Sequence, residues 1–290
     1  MKLDLVKVFL HETLARPPYV PRLTESDLVM DDPVKVAAYT RAGRIDGVMS
    51  PVYLFHCLNI CEMIRVGDTV IDLACGPATQ LAQVAALNPR VSFTGIDLSE
   101  PMLSRARQHI DELRLDNVTF RTGSITHLEG IADSSVDVIM STMALHHLPD
   151  VNSLSQTFRE CARVLKPGGG VYLADFGHLR TKHSIQYFGN QYADRQPELF
   201  TFDYLQSLNA AFFPKDFEKA ADVLKNSCRL YKTFGFPYMM ILKGKPRRTM
   251  DSAFAATVAK ELAKLSPNFA ADFADLKMFF RLGGLRPIWY

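Results

Sequence analysis

One stretch of the chain restricts its fold more than any other. Residues 69–76 read Thr-Val-Ile-Asp-Leu-Ala-Cys-Gly, and Asp97 ends a second apolar run 21 residues after Gly76. An apolar run, a turn of small and acidic residues, and a second apolar run ending in a carboxylate are typical of two neighbouring parallel strands. The second carboxylate stands where two ribose hydroxyls can donate hydrogen bonds. The pattern predicts a nucleoside site between these strands.

The turn after the first strand argues against a dinucleotide. Residues 72–79 read Asp-Leu-Ala-Cys-Gly-Pro-Ala-Thr, with a glycine only at Gly76. A dinucleotide-binding turn needs G-x-G-x-x-G, so that a pyrophosphate meets the amides of the helix N-terminus. Asp72 would repel a pyrophosphate, whereas a ligand with an ammonium or other cationic end fits this turn. The alternative is a strand–turn–helix corner with an incidental acid.

Strand and helix patterns alternate along the middle of the chain. The predicted strands are 70–73, 91–96, 118–122, 136–141 and 171–174, and the predicted helices are 78–86, 101–113 and 153–165. Two later strands, 229–233 and 238–242, flank Gly235-Phe236-Pro237, so the last strand is predicted to be antiparallel. We expect an α/β fold: a Rossmann-like seven-stranded, mostly parallel sheet with helices on both faces.

The segments outside this alternation divide the chain into three predicted parts. These are a helical N-terminal cap over 1–64, a nucleoside-binding domain over 65–246 and a helical C-terminal extension over 247–290. Residues 178–214 are rich in aromatic side chains and are predicted to form a helical insertion in the domain. We favour a lid over an apolar substrate pocket, because the insertion follows the fifth strand. A dimer contact and a plain helix core are the alternatives.

Composition narrows the expected partners and compartment. The 290 residues carry a net charge of only +2, so no strong field favours nucleic acid or an anionic membrane. The five cysteines are odd in number and scattered, which fits free thiols in a reducing compartment. Charged residues interrupt the N-terminus too often for a signal peptide, and no stretch is apolar enough to span a bilayer. We expect a cytoplasmic protein that binds neither nucleic acid nor membrane.

Five motifs in sequence order point to a family. They are Val-Ile-Asp-Leu-Ala-Cys-Gly-Pro-Ala-Thr from position 70, Gly-Ile-Asp-Leu-Ser-Glu-Pro-Met-Leu from 95, Arg-Thr-Gly-Ser-Ile from 121, Val-Asp-Val-Ile-Met-Ser-Thr-Met-Ala-Leu-His-His-Leu-Pro-Asp from 136, and Arg-Val-Leu-Lys-Pro-Gly-Gly-Gly from 163. The chain resembles class I S-adenosylmethionine-dependent methyltransferases, well over 65–177 and loosely over 214–244. It is most similar to the branch that methylates small molecules, quinones included. It lacks the Asn-Pro-Pro-Tyr tetrapeptide and the basic recognition segment of the nucleic-acid and histone branches.

The resemblance implies that S-adenosylmethionine is the cofactor and that it binds at the ends of the first two strands. The turn from Asp72 through Ala74 and Cys75 to Gly76 would hold the methionine end, with Asp72 near its ammonium group. Asp97 would accept hydrogen bonds from both ribose hydroxyls.

The resemblance assigns the rest of the cofactor to the following loops. Leu98 and Met102 would sandwich the adenine, and its edge would meet Gly123, Ser124 and Ile125. The segment after the fourth strand would lie beside the sulfonium, namely Ser141, Thr142 and Met143.

Two departures from the family pattern stand in these motifs. Alanines replace the usual glycines at Ala74 and Ala78, which is a mild change. Ser124 replaces a common acidic residue, so a hydroxyl or a backbone carbonyl would hold the adenine amino group.

The catalytic candidates follow the fourth and fifth strands. His147 occupies the place of a frequent family histidine and is interpreted as structural, beside the cofactor. His146 is the candidate base, since a neutral imidazole suits proton removal near pH 7. Asp175 and Phe176 lie at the same carboxyl edge as pocket-wall candidates, and Asp175 could instead cap the next element. Tyr39 either covers the methionine end of the cofactor or is a core tyrosine.

These residues predict methyl transfer to a small-molecule acceptor. The methyl group of the cofactor is already activated, so no metal is expected, and a base is needed only where the nucleophile arrives protonated. The alternative from another class is a non-catalytic S-adenosylmethionine-binding or assembly protein. A dehydrogenase conflicts with the missing phosphate turn, and arsenic methylation would call for cysteines converging near the sulfonium. A homodimer stays open as the assembly.

Overall fold

The computed structural model describes residues 3–25 and 47–290, and Tyr39 lies outside the described residues. The elements are, in order, α1 (Leu3–Leu14), α2 (Ser50–Cys61), β1 (Thr69–Leu73), α3 (Thr79–Ala86), β2 (Ser92–Asp97), α4 (Glu100–Glu112), β3 (Val118–Thr122), β4 (Val136–Thr142), α5 (Val151–Val164), β5 (Leu165–Phe176), α6 (Lys182–Asn190), α7 (Glu198–Ala210), α8 (Pro214–Ala220), β6 (Cys228–Lys232), β7 (Met239–Gly244), α9 (Ser252–Leu262) and α10 (Pro267–Leu282). Short 3-10 turns cover Leu145–His147 and Ala221–Leu224.

Seven strands form one sheet in the order β3-β2-β1-β4-β5-β7-β6. The first five strands run parallel, and β7 pairs antiparallel with both β5 and β6. The prediction of a Rossmann-like, mostly parallel sheet with an antiparallel last strand is confirmed. The strand order reverses between β1 and β4, and ligands of open α/β sheets bind at such a point, beyond the carboxyl ends of the strands.

Helices α4 and α5, which start at this edge, begin at side-chain caps. Ser99 accepts a hydrogen bond from the backbone N of Met102 at 3.2 Å at the start of α4. Asp150 does the same for α5, accepting from the backbone N of Ser153 at 2.7 Å. Each cap satisfies an amide that the first helical turn leaves without a partner.

Residues 166–170, Lys-Pro-Gly-Gly-Gly, lie just after helix α5. They belong to β5, which pairs Leu165 with Val136 and then Gly170 with Val138, across a register shift. The proline and three glycines allow β5 to bulge by several residues, and Gly168 adopts φ +75°. The helix therefore leads directly into the next strand.

Helix α2 packs between the sheet and the C-terminal helices. It is apolar around its whole circumference, which is typical of a helix buried on all sides. Phe55 stacks on Phe280 of α10 with ring centroids 5.3 Å apart, and Trp289 meets Phe55 edge-on. The backbone N of Ile288 donates to Glu62 at 2.8 Å. The chain end is thus docked on the core, and the five cysteines are all free thiols.

Helices α6 and α7 lie in the aromatic stretch between β5 and β6. Helix α1 packs on α6, and its Glu12 accepts hydrogen bonds from the backbone N atoms of Arg180 and Thr181. Among the described residues, no helix combines the length and the apolar character needed to cross a membrane.

Candidate active site

A cavity of about 290 Å³ opens at the carboxyl edge of the sheet. Its walls come from the ends of β1, β2, β3 and β4 and from the start of α2 and α3. They contain these of the predicted cofactor residues: Asp72, Ala74, Cys75, Gly76, Asp97, Leu98, Met102, Gly123, Ser124, Ile125, Thr142, Met143 and His147. The structure therefore gathers residues that span 76 positions of sequence, 72 to 147, around one space.

The turn after β1 alternates into the left-handed region at every second residue. Ala74, Gly76 and Ala78 have φ of +53°, +51° and +61°. Two of these are alanines, for which such a φ costs about 1–2 kcal/mol. Hydrogen bonds hold the turn against that cost: the backbone N of Cys75 donates to Ile96 O at 3.1 Å, and that of Gly76 donates to Asp97 Oδ2 at 2.8 Å.

Asp72 is the most deeply buried acid of this cavity, at 2% exposure. No described residue donates a hydrogen bond to its carboxylate, and burial, with the nearby charge of Asp97, raises its pKa well above the ordinary value. Gln80 lies in the same wall, with its Nε2 donating to Tyr53 O at 3.2 Å and its Oε1 buried without a partner among the described residues. Two buried acceptors in one wall, for which the described residues offer no donor, favour a cationic group.

Asp97 ends β2 with its carboxylate anchored by backbone amides. Oδ2 accepts from Gly76 N at 2.8 Å and Oδ1 accepts from Ser99 N at 2.9 Å. Burial raises the pKa of Asp97, although these bonds oppose that shift. Each oxygen of a carboxylate has room for a second hydrogen bond, so the group can still accept two hydroxyls from the cavity.

Two apolar side chains that line the cavity come from the segment after Asp97: Met102 is buried and Leu98 is half exposed. Ser124 and Thr126 also line the cavity, and their hydroxyls pair at 2.8 Å. Hydroxyls rather than a carboxylate therefore stand at this end of the cavity.

Ser141 does not line the cavity, although the family resemblance implied that it would. Its side chain is fully buried and its hydroxyl donates to Leu73 O at 2.8 Å. Successive side chains of a strand point to opposite faces, so Thr142 reaches the cavity where Ser141 cannot. Met143 then turns into the left-handed region at φ +53° and joins the wall.

His146 and Asp175 form a buried pair beside this cavity. Their Nδ1 and Oδ1 atoms are 2.7 Å apart, and Asp175 also accepts from the backbone N atoms of His146 and Phe176 at 2.7 Å each. Burial lowers the pKa of His146, but attraction and hydrogen bonding to Asp175 outweigh it, so the pKa is raised. An ionised carboxylate only accepts, so Nδ1 carries the proton and Nε2 is the basic nitrogen. Asp175 itself lines neither cavity.

His146 lines a second cavity of about 40 Å³. Tyr53, Met143 and His147 line both cavities, so the two adjoin. Aromatic and apolar side chains dominate its wall, and helix α7 closes it; the lining residues are Met49, Tyr53, Met143, His146, His147, Phe176, Phe200, Asp203, Tyr204 and Ser207. Phe176 contacts His146 with ring centroids 5.4 Å apart.

Glu25 is a residue of this site that sequence reasoning missed. It accepts from His147 Nδ1 at 2.9 Å and from the Ser207 hydroxyl at 3.1 Å. Burial opposes its ionisation, but the hydrogen bond and charge of His147 outweigh burial and lower the pKa of Glu25 to about 2. Its Oε1 is 3.9 Å from His146 Nε2. Glu25, His146 and His147 lie close enough together to bind a metal ion. The Glu25 carboxylate already accepts hydrogen bonds from His147 and Ser207, which explain its position.

Arg22 fastens the loop that carries the two histidines. Its guanidinium donates to the carbonyls of His146, Leu148 and Pro149 at 2.6–2.9 Å and to Ala210 O at 2.7 Å. It also stacks over a buried aromatic ring, 3.9 Å from the centroid of Phe212. One side chain from the N-terminal segment thus joins the loop after β4 to the end of α7.

Comparisons with known proteins show the family of this chain. A family model described as "Methyltransferase domain" matches residues 64–253. The arsenite methyltransferase of Aquipseudomonas alcaligenes is 28% identical over 242 residues, covering 80% of this chain and 60% of its own length. The demethylmenaquinone methyltransferase of Halalkalibacterium halodurans is 31% identical over 165 residues, covering 53% of this chain and 64% of its own. A ubiquinone biosynthesis O-methyltransferase of Xanthomonas oryzae is 27% identical over 182 residues, covering 61% of this chain and 70% of its own length.

Solved structures share the fold at low identity. A Methanococcus maripaludis protein described as a putative S-adenosyl-L-methionine-dependent methyltransferase matches 79% of this chain and all of its own, with a TM-score of 0.53 and 21% identity. The plantazolicin methyltransferase BpumL in complex with SAH matches 92% of this chain and 93% of its own, with a TM-score of 0.55 and 13% identity. The chain belongs to the methyltransferase family of that domain model, as its motifs predicted, and it has the fold of the class I S-adenosylmethionine-dependent methyltransferases.

Proposed function

We propose that this chain methylates a small-molecule acceptor whose nucleophile arrives protonated, such as a hydroxyl. One observation carries the proposal: His146, whose Nδ1 is paired with Asp175, lines the small aromatic cavity that adjoins the nucleoside-sized one. A base at this point has a use only if the acceptor must lose a proton. The O-methyltransferase named among the relatives supports the same class of acceptor.

The cofactor residues fit S-adenosylmethionine in their donor and acceptor character. Asp72 and Gln80 would hold the ammonium of the methionine end, because Asp72 is a buried acid of this wall and Gln80 Oε1 is a buried acceptor without a described partner. Asp97 would accept the two ribose hydroxyls, and Leu98 and Met102 would enclose the adenine. When bound, the cofactor supplies a sulfonium methyl group that a nucleophile can displace in line.

The protein has two tasks in this reaction. It must align the nucleophile with the methyl group, which can supply on the order of 7–11 kcal/mol of the barrier. It must also remove a proton, and His146 Nε2 is the group proposed for that. Asp175 would hold the imidazole in the productive tautomer and stabilise the imidazolium that forms.

The insertion would act as the lid of the acceptor site. Phe200 and Tyr204 of α7 line the second cavity, which at about 40 Å³ admits one or two waters rather than an aromatic ring. An acceptor would therefore enter by displacing α7.

Four further expectations from the sequence stay proposals: the division at 1–64, 65–246 and 247–290, the homodimer, a cytoplasmic location and a reaction without metal.

The test compares turnover with cofactor affinity. S-adenosylhomocysteine release is followed with a panel of phenols of graded acidity, and S-adenosylhomocysteine binding is followed by calorimetry. His146→Gln should lower turnover by roughly 10²–10⁴-fold, the usual contribution of a general base, with little change in affinity. The loss should shrink for the most acidic phenols, which arrive ionised. His109→Ala, on α4 and outside both cavities, is the matched control.

Two results would contradict the proposal. Equal turnover in His146→Gln and the parent would remove the base from the mechanism. Cofactor binding without turnover on any nucleophile would favour the non-catalytic alternative.

A further inference from the structure

We propose that a second cleft, at the opposite edge of the sheet from the cofactor cavity, binds a small organic phosphate. The cleft encloses about 400 Å³ and is lined by four arginines and one acid: Arg65, Arg90, Arg247, Arg248 and Asp251. No residue of this cleft lines either cavity of the active site. The ligand would therefore be neither the cofactor nor the methyl acceptor.

Chain topology brings the four arginines together. Arg65 precedes β1 and Arg90 precedes β2, so both lie at the amino edge of the parallel strands. Arg247 and Arg248 follow β7, which is antiparallel and ends at that same edge. Helix α9 then starts at Ser252 and presents its first turn to the cleft.

Hydrogen bonds hold the arginine-bearing segments in place without a ligand. Asp68 accepts from the backbone N of Arg65 at 2.7 Å and from Nη1 of Arg247 at 2.6 Å. The backbone N atoms of Arg247 and Arg248 both donate to Glu62 O at 3.0 Å. A site whose side chains start from fixed backbone loses less conformational entropy on binding.

The positive charge of the cleft exceeds its described negative charge. Among the described residues, Asp68 pairs with Arg247, while Arg65, Arg90 and Arg248 have no acidic partner. Arg248 bonds to Asn88 Oδ1 at 3.3 Å and stacks 4.7 Å over the Phe254 ring, and Arg247 Nε is buried without a described partner. The carboxylate of Asp251 is engaged as the cap of α9, accepting from Phe254 N at 2.7 Å.

These features select the ligand class. Guanidinium forks match the oxygens of phosphate, and several converging on one concave space suit a compact multiply charged anion. The remaining wall is apolar, with Ile64, Val66, Leu87 and Phe254, so an organic group next to the phosphate would also find contact. A volume of about 400 Å³ holds a small molecule, which favours a soluble phosphate over the headgroup of a membrane lipid.

Calorimetry on the full chain at low salt, with inorganic pyrophosphate as the probe, tests this cleft. We expect saturable one-to-one binding that weakens as salt is raised. Arg90→Glu and Arg65→Glu should each weaken it by about tenfold or more, the loss of one charge-assisted hydrogen bond. Arg105→Glu changes the same charge on the exposed face of α4 and should leave binding unchanged. Saturation with S-adenosylhomocysteine should also leave it unchanged, so this proposal can fail while the active site stands.

Three outcomes would overturn the proposal. They are no saturable binding, equal weakening by Arg105→Glu, and competition by S-adenosylhomocysteine. A parallel flotation assay with phosphatidylglycerol vesicles tests whether the cleft binds the phosphate of a lipid headgroup instead of a soluble phosphate. Vesicle binding that Arg90→Glu abolishes, without binding of soluble pyrophosphate, would assign the cleft to a membrane surface instead. Thermal unfolding of each variant separates lost binding from lost fold.

Discussion

Replacing Asp97 by alanine removes one carboxylate with two separate tasks. Its oxygens accept backbone hydrogen bonds from Gly76 and Ser99 at 2.8 and 2.9 Å, and they face the cavity that is proposed to hold the ribose. The variant therefore perturbs both the turn and the cofactor. The companion Asp97→Asn keeps the shape and one carbonyl oxygen but loses the charge.

The expected loss of affinity follows from the two ribose hydrogen bonds. A hydrogen bond to a charged acceptor contributes about 1.5–3 kcal/mol, so losing two weakens binding by roughly 10²–10⁴-fold. The affinity of Asp97→Asn should lie between that of Asp97→Ala and that of the parent. Stability should change little, because burial raises the pKa of Asp97 and so disfavours the ionised form in the folded state. Losing that unfavourable charge offsets the loss of two backbone bonds.

Calorimetric titration with S-adenosylhomocysteine measures the affinity, and thermal unfolding without cofactor measures the stability. Asp137→Asn is the matched control, since Asp137 also accepts a backbone hydrogen bond, from Thr69 at 2.9 Å, but lies at the start of β4. Unchanged affinity in Asp97→Ala with the fold intact would refute the ribose assignment. A collapse of the fold in Asp97→Asn would show that the carboxylate serves structure first.

Three further predictions concern the same edge of the sheet. Turnover should rise with pH as His146 loses its proton, with a midpoint above the ordinary histidine value because its pKa is raised; Asp175→Asn should lower that midpoint in a pH–rate profile. Asp72→Asn should weaken S-adenosylhomocysteine binding in calorimetry, yet raise the unfolding temperature of the free protein near pH 7, because a raised pKa means that the ionised carboxylate opposes folding. Arg22→Ala should lower the free energy of unfolding in urea by roughly 2–4 kcal/mol, since several carbonyls lose a charged donor, and Arg22→Lys should recover part of it.

Local sequence predicted which residues at the ends of the first two strands lie together. Asp72 and Asp97 come together because β1 and β2 are adjacent and parallel, with Asp72 opposite Gly95 and Leu73 opposite Ile96. A strand–turn–helix unit encodes this register within about 30 residues of chain. The apolar runs also mark the ends of β3 and β4, and these ends place Gly123 and Thr142 in the cavity wall.

The sequence did not predict the contacts between segments that are far apart in the chain. Glu25 and Arg22 enter the site from the N-terminal segment, and Arg22 reaches carbonyls more than 120 residues away. Neither carries a motif that marks it, since a single charged residue in an irregular segment has no periodicity. Ser141 was assigned to the cavity from a run of three residues, although strand alternation turns it away.

We propose that two acids at the carboxyl edge of the sheet bind S-adenosylmethionine, with Asp72 at its methionine end and Asp97 at its ribose. A crystal structure of the full chain grown with S-adenosylhomocysteine tests it most directly. We expect the ribose hydroxyls within hydrogen-bonding distance of the Asp97 carboxylate and the ammonium beside Asp72 and Gln80. A nucleoside bound in another place, or bound with its ammonium away from Asp72, would contradict the account.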